Sequence, residues 1–231
     1  MSHLQSFKLC STLCVALISY STSTIAAAQQ SVFKVQIVAD EMCCKGCAQK
    51  VAAQLYAAPG VTSVEADVPN RLVTVSAKPS PKLTLERLWQ AVEQGKGGPS
   101  KLVTQQATYV LTRSENLKPE QRLPSDRYSL VVRSMQDNDS AQKIANQLYA
   151  IRGVQNVKVD VAERTLFIQA ANGAVLSPWA LAAAAELAHG EPIAVAGPYG
   201  VFTIERSAGA APATAVTAVK SPYPHTQGEV R

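Results

Sequence analysis

One pattern occurs twice in this chain: residues 49–77 read QKVAAQLYAAPGVTSVEADVPNRLVTVSA, and residues 142–170 read QKIANQLYAIRGVQNVKVDVAERTLFIQA. At a constant offset of 93 residues and without a gap, 14 of these 29 positions are identical. A repeat of this length indicates one structural unit present in two copies. The offset continues on both sides, so the copies extend over about residues 33–113 and 126–206.

Each copy predicts the order strand, helix, strand, strand, helix, strand. Phe33, Val35 and Ile37 alternate with polar residues, which is typical of a half-buried strand. Pro69 and Asn70 separate two runs rich in strand-forming residues and indicate a hairpin. A βαββαβ order forms a four-stranded antiparallel sheet with both helices on one face. We therefore expect an α+β fold made of two tandem ferredoxin-like sandwiches.

The second helix of each copy carries the same start signal. Thr84 is the expected N-cap, with Leu83 and Leu88 placed to form a hydrophobic staple around it. Ser177 takes the place of Thr84 at the offset of 93. One capping device at equal spacing in both copies supports the alignment of the copies.

Composition outside the copies divides the rest of the chain. Residues 1–28 have the basic start, the short apolar run and the Ala-Ala-Ala end of a secretory signal peptide, so we expect a secreted or periplasmic protein. Residues 114–125 are polar, contain two prolines and are the expected linker between domains at 29–113 and 126–206. Residues 207–231 lack periodicity and are the expected disordered tail.

Charge and composition exclude several classes of protein. The chain has 22 Lys plus Arg against 17 Asp plus Glu, a net charge of +5, and no run of five like charges, so no nucleic-acid partner is expected. Its hydrophobic fraction of 47% and mean hydropathy of +0.01 exclude a polytopic membrane protein. We expect no membrane contact after the signal is removed. All five cysteines lie within the first 47 residues and cannot form a long-range disulfide framework.

Three cysteines, Cys43, Cys44 and Cys47, follow the first strand of the first copy. Cys44 and Cys47 are three residues apart, so the first helical turn brings their sulfurs toward one ion, and the helix N-terminus favours the thiolate. Two thiolates suit a soft ion, most simply Cu(I), with Hg(II) and Zn(II) as alternatives. Zn(II) needs four ligands, for which Asp40 and Glu41 are the nearby candidates. Whether Cys43 is an auxiliary ligand stays open.

This loop resembles the heavy-metal-associated domain family, whose Met-x-Cys-x-x-Cys motif is matched by Met42, Cys44 and Cys47. The family includes copper chaperones, N-terminal domains of metal-pumping ATPases and periplasmic mercury-binding proteins. The resemblance implies a metal-binding protein that is not an enzyme, with a metal transporter or another metal-binding domain as partner. It also implies that Met42 anchors the loop from below and that Lys96 faces the metal, where its charge would offset that of the thiolates.

The second copy lacks both thiols of the motif. At the offset of 93, Asp137 replaces Cys44 and Ser140 replaces Cys47. Asp and Ser at a helix start are ordinary caps and offer only oxygen to an ion that prefers sulfur. We expect a degenerate second copy that kept the fold and lost the soft-metal site.

Two other functions stay open on the sequence. A Cys-x-x-C pair at a helix start also occurs in thiol–disulfide oxidoreductases, although Lys45 and Gly46 stand where those proteins typically have Gly-Pro. A metal-independent interaction module that uses the sheets of both copies is the other alternative. Catalytic turnover of a model disulfide would distinguish an oxidoreductase from a metal carrier. An interaction module would keep its function after both cysteines are replaced.

Overall fold

The computed structural model describes residues 32–207, so the expected signal peptide and nearly all of the expected tail lie outside the described residues. The first unit comprises β1 (Phe33–Ala39), α1 (Lys45–Tyr56), β2 (Val61–Asp67), β3 (Leu72–Ala77), α2 (Leu85–Gln94), β4 (Pro99–Val103) and β5 (Ala107–Arg113). The second unit comprises β6 (Arg127–Val132), α3 (Asn138–Tyr149), β7 (Val154–Asp160), β8 (Thr165–Ala170), α4 (Pro178–Leu187), β9 (Pro192–Gly197) and β10 (Gly200–Arg206). No helix in this range is long and apolar enough to cross a membrane.

Each unit has five strands, one more than the βαββαβ order contains. In the first unit the extra strand arises from a tight turn at Thr104, between β4 and β5. The Thr104 hydroxyl oxygen accepts the backbone N–H groups of Gln106 and Ala107 at 3.2 and 3.0 Å. A threonine side chain thus closes the turn without Gly or Pro, the residues that usually mark a turn in sequence.

All ten strands form one antiparallel sheet in the order β2-β3-β1-β4-β5-β10-β9-β6-β8-β7. β5 pairs with β10 over seven residues, and at the centre Val110 lies opposite Thr203. Thr203 is the counterpart of Val110 at the offset of 93, so the units meet about a local twofold axis. The structure therefore differs from the expected pair of separate sandwiches, because the two extra strands join the units into one sheet.

This pairing sends the cysteine loop and its counterpart to opposite ends of the sheet. Every neighbouring pair of strands is antiparallel, and five such steps separate β1 from β6. β1 and β6 consequently run in opposite directions, and the loops that follow them lie at opposite ends of the strands. The second unit's loop does not cover the cysteines.

Four aromatic rings, which we call the junction cluster, pack between the units: Trp89 of α2, Tyr109 of β5, Trp179 of α4 and Phe202 of β10. Ring centroids lie 4.7 Å apart for Trp179 and Phe202, and 4.8 Å apart for Tyr109 and Trp179. Tyr109 and Trp179 contact the hydrophobic cores of both units. Burial raises the pKa of Tyr109 to about 12. Aromatic pairs of this kind add about 0.5–1.5 kcal/mol each beyond the area that they bury.

The two expected helix caps have different outcomes. Thr84 caps α2 as predicted, since its hydroxyl oxygen accepts the N–H of Arg87 at 3.1 Å. Ser177 is the N-cap residue of α4 but makes no capping hydrogen bond. Its hydroxyl donates instead to Oε1 of Glu86 in α2, at 2.7 Å. Ser177 therefore lies at the predicted N-cap position, but its hydrogen-bond partner is Glu86 rather than a backbone amide of α4. The reason is that joining the units brings α2 beside the start of α4.

We expect Phe202→Ala to destabilise both units together by about 3–5 kcal/mol, because Phe202 is fully buried in the junction cluster. Both tryptophans of the chain lie in this cluster, so their fluorescence reports on the junction while far-ultraviolet circular dichroism reports on the whole fold. Coincident melting by the two probes is the expected result for metal-free protein. Phe167→Ala is the matched control, since Phe167 is 49% exposed on β8. Two separate transitions would show that the units fold independently.

Candidate metal centre

Backbone hydrogen bonds hold the cysteine loop between two neighbouring segments. The N–H of Ala39 donates to the carbonyl of Arg71 in the β2–β3 hairpin at 2.8 Å. The N–H groups of Asp40 and Glu41 donate to the carbonyls of Gly98 and Gly97 at 3.0 and 2.9 Å. The loop therefore starts from a rigid end of the sheet rather than from a free connection.

Met42 follows this anchored segment and is 0% exposed in the core of the first unit. The same buried core contains Ala48 and Val51 of α1 and Val92 of α2. The side chain thus packs beneath the cysteines and away from solvent. Met135, its counterpart in the second unit, is equally buried.

Cys44 is the N-cap of α1 and has extended backbone angles, with φ of −153° and ψ of 167°. Its sulfur accepts the N–H of Cys47 at 3.4 Å, and its carbonyl accepts the N–H of Ala48 at 3.0 Å. A thiol is an unusual N-cap, because Ser, Asp and Asn are the side chains that fill this position best. The helix thus begins where the sequence predicted, with sulfur as the acceptor for one of the amides that have no partner within the helix.

The structure brings the three sulfur atoms together. The Sγ atoms of Cys44 and Cys47 lie 3.3 Å apart, those of Cys43 and Cys47 lie 3.8 Å apart, and all three lie within 4.8 Å of one another. All three thiols are free; Cys43 and Cys44 are exposed, and Cys47 is half-buried against the core. Two sulfurs bound to one ion at about 2.3 Å, the usual zinc–thiolate length, span at most about 4.6 Å. The sulfurs therefore need only small rotations to share an ion.

The thiols of Cys44 and Cys47 differ in acidity. The pKa of Cys44 is lowered, first because the backbone N–H of Cys47 donates to its sulfur and then because the Cys47 thiol can donate to it as well. The pKa of Cys47 is raised, first by its hydrogen bond to Cys44 and then by that to Cys43, which hold its proton. Cys44 is consequently the first of the two to become a thiolate as the pH rises.

We expect Cys44 to be alkylated faster than Cys47 by iodoacetamide near neutral pH, because the thiolate is the reacting form and Cys44 is the more exposed and more acidic thiol. Peptide mapping after brief, limiting alkylation of the reduced protein measures the order of modification. Preferential alkylation of Cys47 in the wild-type protein would contradict the assigned order of the two pKa values.

Lys96 lies in the loop between α2 and β4, at the same end of the sheet as the cysteines. Its backbone has a positive φ of 55°, and its side chain is exposed. Within residues 32–207, the hydrogen bonds and ion pairs include none from this ammonium group to a cysteine. The sequence-based role of Lys96 beside the metal stays a prediction.

In the corresponding loop of the second unit, the first helix is capped by oxygen atoms in place of a thiol. Asp137 is the N-cap of α3, and its Oδ1 accepts the N–H of Ser140 at 2.7 Å. The Ser140 hydroxyl donates to the Asp137 carbonyl at 2.9 Å. Hydrogen bonds from the backbone and side chain of Ser140 lower the pKa of Asp137. Asp137 and Ser140 thus occupy the positions of Cys44 and Cys47 but serve as a helix cap.

A cleft of about 400 Å³ adjoins the cysteine loop, and the sequence did not reveal it. Glu41, Lys96, Arg113 and Tyr199 are among the residues that line it. Arg113, at the end of β5, forms an ion pair with Glu41 at 3.3 Å. A side chain at Gly98, which has a φ of +59°, would collide with Glu41. No local pattern relates Arg113 to Glu41, since they are 72 residues apart and meet only through the sheet.

The model of the heavy-metal-associated domain family matches residues 37–98. This range starts within β1, contains the cysteine loop and ends at the start of β4. The family resemblance of the first unit is therefore confirmed over these residues, and the match does not extend to the second unit. No curated protein sequence matches the chain significantly.

Several solved structures are similar to parts of this chain. Oxidized MerP from Ralstonia metallidurans CH34 shares 20% identity, with 30% of this chain and 96% of MerP covered and a TM-score of 0.28. The N-terminal soluble domains of Bacillus subtilis CopA share 16% identity, with 71% and 94% covered and a TM-score of 0.31. The N-terminal domain of ZntA in the apo-form shares 21% identity, with 36% and 94% covered and a TM-score of 0.26.

Residues 37–98 thus contain a heavy-metal-associated domain, and the match supports heavy-metal binding by this chain. The three cysteines of its loop are a group that could hold the metal. A metal-binding module of this kind fits the expectation of a protein that is not an enzyme. Because all three TM-scores lie below 0.5, the proposals below rest on the family match and on the geometry of the loop.

Proposed function

We propose that this protein binds one soft metal ion, most simply Cu(I), through the thiolates of Cys44 and Cys47, and that it sequesters the ion or passes it to a partner. The observation that carries the proposal is the convergence of two free thiols at the start of α1, with sulfurs 3.3 Å apart, of which Cys44 is exposed and Cys47 half-buried. Thiolates select soft ions such as Cu(I), and the site requires no histidine. Hg(II) shares this preference and is the alternative ion.

Zn(II) is a weaker candidate than Cu(I) at this loop. A zinc site normally has four ligands, and Glu41, one of the two nearby carboxylates, is already paired with Arg113. The group of ligand-bearing side chains found around the loop within residues 32–207 contains Cys43, Cys44 and Cys47 alone. Water would have to complete a tetrahedral site.

We further propose that the chain acts outside the cytoplasm, either secreted or in a periplasm. The support is the signal-like composition of residues 1–28. A partner in that compartment would be a metal transporter or another metal-binding domain that presents its own thiolates. Exposure of Cys43 and Cys44 supports transfer by direct contact, because a second protein can reach the sulfurs.

We propose that the second unit is a degenerate copy of the first and binds no soft metal. Its elements follow the same order, and Asp137 and Ser140 take the places of Cys44 and Cys47. Since its loop lies at the other end of the sheet, this unit acts by extending the sheet and by forming one wall of the cleft beside Glu41 through Tyr199.

We expect wild-type protein to bind one Cu(I) per chain tightly, and Cys44→Asp and Cys47→Ser each to weaken this binding strongly. Native mass spectrometry with limiting Cu(I) under anaerobic conditions measures the stoichiometry. Cys44→Asp is a sharp test because α3 already begins with Asp137 at the same position, so the fold accepts this cap. Unchanged circular dichroism would show that the weaker binding reflects the lost ligand.

A gain of function in the second unit is the matched control for these losses. Asp137→Cys combined with Ser140→Cys should add a second Cu(I) site, because both positions align with the thiol positions at the offset of 93 and Asp137, like Cys44, is the N-cap of its helix. Undiminished affinity for Cu(I) in Cys44→Asp or Cys47→Ser would overturn the proposed ligands.

We expect the affinity for Cu(I) to fall as the pH decreases, and steeply below about pH 6, because protons compete with the ion for the thiolates. The lowered pKa of Cys44 keeps that ligand deprotonated to lower pH, whereas the raised pKa of Cys47 means that its proton is released when the ion binds. Competition titrations between about pH 5 and pH 8 measure the slope. A flat profile would indicate ligands other than these thiols.

Thiol–disulfide exchange is the second candidate function, and the acidity of the thiols favours it. An exposed Cys44 of lowered pKa beside a Cys47 of raised pKa resembles a nucleophilic thiol and its resolving partner. Multiple turnovers of a model disulfide with an external reductant would support this function. Stoichiometric metal binding without turnover would support the carrier.

A further inference from the structure

We propose, building on the metal-binding function above, that Cys43 is a third ligand of the same ion. The site would then select thiophilic ions that accept three sulfurs. It would also release its ion more slowly than a two-thiolate site, which favours sequestration over transfer.

Convergence of all three sulfurs is the first observation behind this proposal. Neighbouring side chains along extended backbone point to opposite sides, and Cys44 is extended, so spacing alone predicts that Cys43 points away from the pair. In the structure the Sγ of Cys43 is nevertheless 3.8 Å from that of Cys47, and the three sulfurs lie within 4.8 Å. Cys43 and Cys47 are four residues apart, and the chain turns into α1 between them.

The second observation is that the three sulfurs have few other partners. Within residues 32–207, their side-chain hydrogen bonds connect them only to one another and to the N–H of Cys47. All three are free thiols, and Cys43 is exposed. An ion that binds all three therefore displaces no other structural contact of Cys43.

The side chains available around the sulfurs also suit a three-coordinate ion better than a four-coordinate one. Glu41 is turned toward Arg113 across Gly98, and no other His, Cys, Asp or Glu within residues 32–207 belongs to the group around the sulfurs. Met42 is fully buried beneath the loop. A tetrahedral ion would lack its fourth protein ligand, whereas a three-coordinate ion would be satisfied by this chain alone.

A third ligand from the same chain changes how the ion leaves. In transfer, an incoming thiol of the partner loses its proton and forms a bond to the ion, after which a departing cysteine regains a proton. With two ligands the third position is open to this attack. With Cys43 bound, that position is occupied, so one bond to Cys43 must break before the partner's sulfur can bind.

Binding of arsenite, As(OH)₃, counts the thiol ligands directly. Three thiols displace three waters and leave no hydroxyl on arsenic, whereas two thiols displace two waters and leave one hydroxyl. Intact-protein mass spectrometry under anaerobic conditions resolves the two products. We expect the fully substituted product for the wild-type protein and the product with one retained hydroxyl for Cys43→Ser.

Lys45→Ser is the matched control, because Lys45 is an exposed neighbour in the same loop and carries no thiol. This variant should give the wild-type arsenite product. X-ray absorption of the Cu(I)-loaded protein should show three sulfurs for the wild type and for Lys45→Ser, and two for Cys43→Ser. Cu(I) should also pass to a small dithiol acceptor faster from Cys43→Ser than from Lys45→Ser.

A retained hydroxyl on wild-type arsenic, with two sulfurs around Cu(I), would overturn the role of Cys43 while leaving the two-thiolate function intact. Weaker Cu(I) binding only in Cys44→Asp and Cys47→Ser identifies that case. Wild-type Cu(I) affinity in both of those variants would instead overturn the proposed function itself.

Discussion

The pairing of β5 with β10 is the interaction on which the rest of this structure depends. Seven residue pairs, centred on Val110 and Thr203, complete a ten-stranded sheet from two similar units. The pairing brings α2 beside α4, so that Trp179 and Phe202 bury their rings at the junction. It also brings Tyr199 of the second unit into the cleft beside Glu41 and Arg113, at the end of the sheet where the cysteine loop lies. The metal-binding unit is thus supported by strands of both halves of the chain.

A second constraint acts locally, at the start of the first helix of each unit. The first amides of a helix lack partners within the helix and need an acceptor from outside. The second unit meets this need with the carboxylate of Asp137, at 2.7 Å from its amide partner, and the first unit uses the sulfur of Cys44, at 3.4 Å. This donated hydrogen bond also lowers the pKa of the Cys44 thiol, so the same contact favours the thiolate form that the proposed soft-metal site requires.

The surroundings of the thiols suit metal capture from solution. Met42 fills the space beneath the loop and backbone hydrogen bonds hold its entry, so the ligands are placed by a rigid base. Cys43 and Cys44 are exposed to solvent, whereas Cys47 is half-buried and packs against the core. Three exposed or half-exposed sulfurs at one point provide an open, sulfur-rich site whose chemistry differs from a closed four-ligand zinc site.

Local patterns in the sequence determined the repeat, the order of the elements, the cap at Thr84 and the start of α1 at Cys44, because periodicity and capping depend on residues a few positions apart. They also identified Cys44 and Cys47 as candidate ligands from their spacing on one helical turn. Only the tertiary structure decided that Ser177 bonds to Glu86, that the two units share a sheet, and that the loops face opposite ends. These features arise from strands about ninety residues apart, and no local pattern specifies which strand edges pair.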